Sequence, residues 1–166
     1  MKLLAKIYSK KCTLLQGWAL CAALGVALPV MAEPLQPGSA QALPVVDVYK
    51  SPECGCCKAW AEHLQKNGFK VNLHGVDDVP AARKRLGMPD RFGSCHTAKA
   101  GQYLAEGHVP AADIKRLLKE RPRAIGLAVP AMPLGSPGME MEDGRSVPYD
   151  TLLVGEDGKA RIFARH

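Results

Sequence analysis

From Val45 onward the spacing of apolar positions changes several times, and each change marks an element. Val45-Val46-Asp47-Val48-Tyr49 is rich in β-formers and ends at Ser51-Pro52, which predicts a strand. From Cys56 or Cys57 the spacing becomes three and four residues, through Ala59, Trp60, His63 and Leu64, and Asn67-Gly68 closes a helix. Phe69 to His74 alternates apolar and polar residues, as a half-buried second strand would. Asp77-Asp78 and Pro80 cap a short helix over Ala81 to Leu86, stopped at Gly87. Met88 to Gly93 reads as a loop into Ser94-Cys95-His96-Thr97-Ala98, followed by a turn at Gly101-Gln102 and a short strand Tyr103-Leu104-Ala105. Val109-Pro110 opens an amphipathic helix with Ile114, Leu117 and Leu118 on one face, and Pro122 ends it. Arg123 to Val147, rich in proline and glycine, reads as one long loop; in a small domain such a loop is functional or disordered. Tyr149 to Val154 and Lys159 to Ala164, joined through Glu156-Asp157-Gly158, predict a β-hairpin.

Upstream the pattern is different. Lys2, Lys6, Lys10 and Lys11 precede a mostly apolar run from Cys12 to Val30, which closes on Val30-Met31-Ala32 ahead of Glu33-Pro34. Basic, apolar and small-residue regions in that order predict a cleavable secretory signal peptide over residues 1–32 and export to the periplasm. The alternative is a retained membrane anchor, because the apolar run approaches spanning length. Residues 33–44, with three prolines, Gly38 and Ser39, read as a flexible leader, and residues 45–166 as one domain with its own core. No stable membrane span is expected after cleavage.

Charge changes the picture little. Of the formal net charge of +6, four lysines leave with the signal and no acid goes with them, so the high pI describes the address as much as the domain. A nucleic-acid partner loses its main support.

Cysteine changes it more. Cys12 and Cys21 belong to the signal; Cys54, Cys56, Cys57 and Cys95 remain in an oxidising compartment. Two structural disulfides are one reading. Adjacent Cys56 and Cys57 argue against it, because neighbours rarely bridge each other and would need two separate partners. The cluster falls at a strand-to-helix turn, where the helix dipole and free amides favour thiolate over thiol.

The element order, with cysteines at the first strand-helix turn, resembles the thioredoxin and glutaredoxin fold: an α/β sheet with flanking helices, here with an additional C-terminal β-hairpin. Cys54 and Cys57 overlay the Cys-x-x-Cys of those folds. Two departures stand out. Cys56 is an extra cysteine inside the motif, and no proline opens the third strand, where those oxidoreductases keep a cis-proline; the corresponding stretch is Cys95-His96-Thr97. The rival register uses Val147-Pro148-Tyr149 before the hairpin instead. In the Cys95 register, three cysteines come from one side and a Cys-His pair from the other.

Converging thiolates suit a soft ion, above all Cu(I), while zinc would accept Cys with His. Met132, Met139 and Met141 favour copper, because thioethers bind Cu(I) usefully; the alternative is core filler. His96 beside Cys95, and His108 ahead of a helix, are candidate ligands. His63 and His74 read as packed or surface histidines, and His166 as a chain end.

Four motifs then agree in order: Ser-Pro-x-Cys-Gly-Cys-Cys-Lys-x-Trp at Ser51 to Trp60, Ser-Cys-His-Thr at Ser94 to Thr97, Glu-Gly-His-Val-Pro-Ala at Glu106 to Ala111, and Gly-Leu-Ala-Val-Pro-x-Met-Pro-x-Gly-Ser-Pro-Gly-Met at Gly126 to Met139. Together they resemble the exported, CopG-type copper-resistance proteins, from about Val45 to Phe163. The resemblance implies a periplasmic, thioredoxin-like domain that binds Cu(I), as a cysteine-bridged multinuclear cluster in one version, in copper resistance. It implies Cys54, Cys56, Cys57 and Cys95 as thiolate ligands, with His96, His108, Met132 and Met139 beside them. Copper ions and other periplasmic copper-handling proteins are the implied partners. A binding protein is the favoured form of that role, with a copper oxidoreductase as the other. The rival function is a thiol-disulfide oxidoreductase with Cys54 as nucleophile and Cys57 as resolving thiol; a zinc-stabilised module is the third.

Overall fold

Strand β1 (Val46–Lys50) alternates buried and half-buried positions, as its sequence predicts, and it lies inside the sheet rather than at an edge. It pairs in parallel with β2 (Val71–Gly75) and antiparallel with β3 (His96–Ala100). The sheet continues through β4 (Tyr103–Gly107), β5 (Gly126–Val129), β6 (Asp150–Val154) and β7 (Ala160–Arg165) in the order β2-β1-β3-β4-β5-β6-β7. In this computed structural model the described residues are 42–166. The expected signal peptide and all but the end of the expected leader lie outside them. Among the described residues three helices accompany the sheet, α1 (Gly55–Lys66), α2 (Val79–Leu86) and α3 (Ala111–Glu120), with a 3-10 turn at Asp90–Phe92. The expected α/β architecture with a terminal hairpin is the one observed. No helix among these residues is long and apolar enough to cross a membrane.

Local chemistry accounts for the helix ends. Asp78 caps α2 by accepting the Ala81 amide at 2.8 Å, Pro80 sits in its first turn, and Gly87 closes it at φ +97°, where a side chain would be strained. The cap of α1 is Cys54 itself, whose Sγ accepts the Cys57 amide at 3.3 Å.

The sheet separates two cores. On one face Trp60 and Leu64 of α1 and Ile114 and Leu117 of α3 pack on Val46, Val48, Ala98, Ala105, Leu127 and Val129. On the other, Met88 and Phe92 pack on Leu104, Ala128 and Val154, with Leu86 of α2 against them. Strand residues alternate between faces, so Tyr103 and Ala105 serve one core and Leu104 the other. Each aliphatic anchor such as Leu64 or Leu117 contributes about 1.5–3 kcal/mol relative to exposure.

Two expectations need correction. Strand β5 lies inside the segment read as an unbroken loop: its four residues are buried on both faces, so they show no alternation, and prolines 122 and 130 frame it. Strand β2 is less covered than expected, because it forms the sheet's edge and Leu73 is 48% exposed. The register question is answered by the pairing of Lys50 with His96: β3 begins directly after Cys95 and lies beside β1, while the β6–β7 hairpin extends the far end of the sheet. No cis peptide bond occurs among the described residues.

Candidate metal centre

Adjacency of β1 and β3 brings the two halves of the site together. The turn after β1 delivers Cys54 as the cap of α1 and Cys56 and Cys57 in its first turn; the chain entering β3 delivers Cys95. Lys50, only 7% exposed, holds this turn through its ammonium, which donates to the Ser51 carbonyl at 2.8 Å and the Pro52 carbonyl at 3.0 Å.

Cys54 and Cys57 are joined by a disulfide, and Cys56 and Cys95 are free. Cys56 Sγ lies 3.5 Å from Cys54 Sγ and 3.9 Å from Cys95 Sγ, and Cys57 Sγ lies 3.7 Å from the Cys95 carbonyl oxygen. Cys95 also touches both candidate histidines: His96 Nδ1 is 3.3 Å and His108 Nε2 is 3.1 Å from its sulfur. Two potential ligand groups result, the four cysteines and the Cys95-His96-His108 set, each with its ligand atoms within 4.8 Å of one another. Cys95 belongs to both.

The electrostatics favour the neutral forms of Cys95, His96 and His108. Burial, followed by the neighbouring Cys56, pushes the Cys95 thiol up to about 12. Burial and the neighbouring Cys56 thus hold Cys95 in the thiol form, against the thiolate preference expected for the cluster at the head of α1. Burial is also the main reason His96 falls to about 3, with His108 adding to it, and burial lowers His108. Both rings are fully buried. His108 Nδ1 lies 2.8 Å from the Pro137 carbonyl, an acceptor only, so Nδ1 carries the proton and Nε2 offers its lone pair to the site. His96 Nε2 is buried without a hydrogen-bond partner. Soft sulfur with neutral imidazole is a donor set that suits Cu(I).

The loop between β5 and β6 covers this cluster. Beyond the Pro137 contact, Gly138 presses on the first turn of α1: a Cβ there would stand 2.7 Å from the Cys56 carbonyl oxygen and the Trp60 nitrogen. Met139 is the next residue and is half-buried; Met132, which follows Ala131 at φ +61°, is 48% exposed. The structure thus gathers the four cysteines, His96 and His108 directly, while Met132 and Met139 lie on the covering loop.

The remaining histidines are engaged elsewhere. His63 Nε2 accepts the Ala111 amide at 3.1 Å, capping α3, which has no side-chain cap from Pro110. His74 pairs with Asp47 at 2.9 Å and stacks on Tyr49; His166 bonds Asp113 at 2.9 Å and stacks on Tyr149. Sequence reasoning assigned no role of their own to Lys50, Arg83, Ser94 and Glu106, which surround the cluster. Its available signals were a lysine closing the β1 run and a glutamate inside the otherwise apolar Tyr103–Gly107 strand.

Comparison with known proteins agrees with this geometry. A family model described as a protein of unknown function, DUF411, matches residues 92–139, the span from the approach to Cys95 through Met139. Two solved structures, titled copper resistance protein copG form 1 and form 2, are each 47% identical to this chain at a TM-score of 0.70. Each alignment covers 75% of this chain and 98% of the other. No curated protein matches the chain.

Proposed function

This chain belongs to the CopG family of copper resistance proteins, and from that premise we propose that it binds copper as Cu(I) in the periplasm, through Cys54, Cys56, Cys57 and Cys95 with His96 and His108. The observation that carries the reading is the position of Cys95, within 4 Å of one thiol and two imidazole nitrogens contributed by separate parts of the chain. In the reduced protein, opening the Cys54–Cys57 disulfide frees two further thiols beside Cys56. Four sulfurs and two nitrogens exceed the needs of one Cu(I), which supports a cysteine-bridged cluster of more than one ion. Met132 and Met139 supply thioethers from the covering loop. The connectivity of β1, β2, β3 and β4, with cysteines at the head of α1, supports a thioredoxin-like ancestry for the domain. Residues 1–32 act as the export signal in this reading, 33–44 as the leader, and other periplasmic copper-handling proteins as donors or acceptors of the ion.

Metal analysis of the reduced, anaerobically purified protein tests it, with competition by a Cu(I) chelator. Copper should co-purify and should fall sharply in Cys56→Ala. A wild-type chain that retains no copper sinks the reading.

The Cys54–Cys57 disulfide favours a second reading, thiol-disulfide exchange with a partner dithiol. Cys56 has no part in that chemistry. Efficient disulfide reduction by Cys56→Ala, in a chain that holds no copper, would establish it.

A further inference from the structure

Behind Cys95 lies a buried ion pair that includes none of the proposed ligands. Arg83, in the last turn of α2, is 5% exposed, and Glu106, in β4, is fully buried. Arg83 Nε donates to Glu106 Oε1 at 2.8 Å, and the same oxygen accepts the Ser94 amide at 2.8 Å. Arg83 Nη2 donates to the Ser94 carbonyl at 2.7 Å. One ion pair thus holds both polar atoms of the Ser94 main chain, and the next residue is Cys95. Ser94 is also tied forward, since its hydroxyl donates to the Ala131 carbonyl, one residue before Met132.

The residue before Ser94 is shaped to the same pair. At Gly93 a Cβ would come 2.8 Å from Arg83 Nη1 and 2.9 Å from both its Cζ and the Asp90 carbonyl oxygen, so a larger residue crowds the guanidinium and the Asp90 turn together. Arg83 reaches across from the sheet face opposite α1, the face that holds Met88 and Phe92. A buried ion pair is a poor way to gain stability, because desolvating two charges offsets their attraction. Its geometry is specific, however: the planar, forked guanidinium fixes the directions of its bonds to the carboxylate and the carbonyl, which the single rotatable ammonium of a lysine does not.

We propose that Arg83 and Glu106 are positioning residues for the metal centre, setting the Ser94–Cys95 peptide so that the Cys95 sulfur meets Cys56, His96 and His108 together. The proposal rests on Cys95 being a copper ligand. It extends the site to α2 and β4, which supply no ligand. Supports of this kind govern how tightly a metal is held, and their loss costs roughly tenfold to a hundredfold in affinity.

The test uses the full chain with three substitutions: Arg83→Lys, Gly93→Ala and Asp90→Asn. Each variant and the wild type are loaded with Cu(I) anaerobically and challenged with a chelator, and thiolate-to-copper absorption and metal-free thermal unfolding are recorded. Arg83→Lys and Gly93→Ala should lose Cu(I) affinity by roughly tenfold or more with an altered thiolate-copper band. Asp90→Asn removes only an exposed contact 3.8 Å from Arg83 and should match wild type. If Arg83→Lys does not fold, Gly93→Ala decides alone, since it keeps both charges. Folded variants with wild-type affinity and spectrum overturn the positioning role and leave the copper reading intact. A wild-type chain that holds no copper overturns both.

Discussion

His108 Nε2 stands 3.1 Å from Cys95 Sγ while its Nδ1 bonds the Pro137 carbonyl at 2.8 Å. One side chain therefore links the cluster to the loop above it, and the bond on the loop side orients the nitrogen on the sulfur side. In the proposed site, any motion of that loop would reach the ligating nitrogen through this ring.

Cys95 is the single residue common to both ligand groups. Among the four single Cys→Ser variants, Cys95→Ser should therefore retain the least copper per chain, measured by elemental analysis of anaerobic samples. Equal loss in Cys54→Ser and Cys95→Ser would mean that the histidine set takes no part.

Gly138 combines φ +84° with backbone atoms of Cys56 and Trp60 where a Cβ would lie. Gly138→Ala must adopt a strained conformation and push the loop off α1. Its expected cost is about 1–3 kcal/mol in denaturant unfolding of the metal-free protein, with faster transfer of Cu(I) to a chelator. Unchanged transfer would show that the loop covers the site without retaining the ion.

Met132→Ala and Met139→Ala address the thioethers. Each should weaken Cu(I) retention and leave zinc affinity almost untouched, because thioether sulfur discriminates between the two ions. Chelator competition with each metal reads the difference. Met132 is half exposed and leaves no cavity when truncated, so a stability change cannot account for its effect.

His63 offers a pH test at a distance from the ligands. Its pKa is lowered, chiefly by burial, with Lys66 and Lys115 adding and Glu140 opposing. The neutral ring is the form the fold favours, because its Nε2 accepts the Ala111 amide. The contribution is complete above the unfolded-state value of 6.5 and is lost as pH falls from there toward the lower folded value. The metal-free protein should thus melt at a lower temperature at about pH 5 than at neutrality. His63→Gln keeps an acceptor that does not titrate, and it should flatten part of that dependence; His96 and His108, also lowered by burial, act in the same direction, and Glu106, raised chiefly by burial, opposes them. An identical pH profile in His63→Gln would remove His63 from the account.

Much of the architecture could be read in advance because it follows from local rules. The β-rich run at Val46, the helical spacing from Cys57 to Leu64, and the Asp78-Pro80 cap each act within a few residues. His63 and His74, read as packed or surface histidines, bond Ala111 and Asp47. Strand β5 was illegible for the opposite reason. Gly126–Val129 is a strand because β4 and β6 lie on either side of it, and burial on both faces erases the alternation that identifies strands. Glu106 and Arg83 were equally hidden, since a charge in a sequence shows no partner when that partner is 23 residues away.

By itself, the sequence determined the donor chemistry: four cysteines outside the expected signal, two of them adjacent, with histidines at 96 and 108 and methionines among prolines and glycines. Residue type sets softness and charge, and no folding is needed to know either. Tertiary structure alone decided which donors meet. The antiparallel pairing of β1 with β3 carries Cys95 across 39 residues to within 3.9 Å of Cys56, and a buried Arg83–Glu106 pair grips the peptide just before it. Such distances depend on long-range pairing and burial, which no window of neighbouring residues encodes.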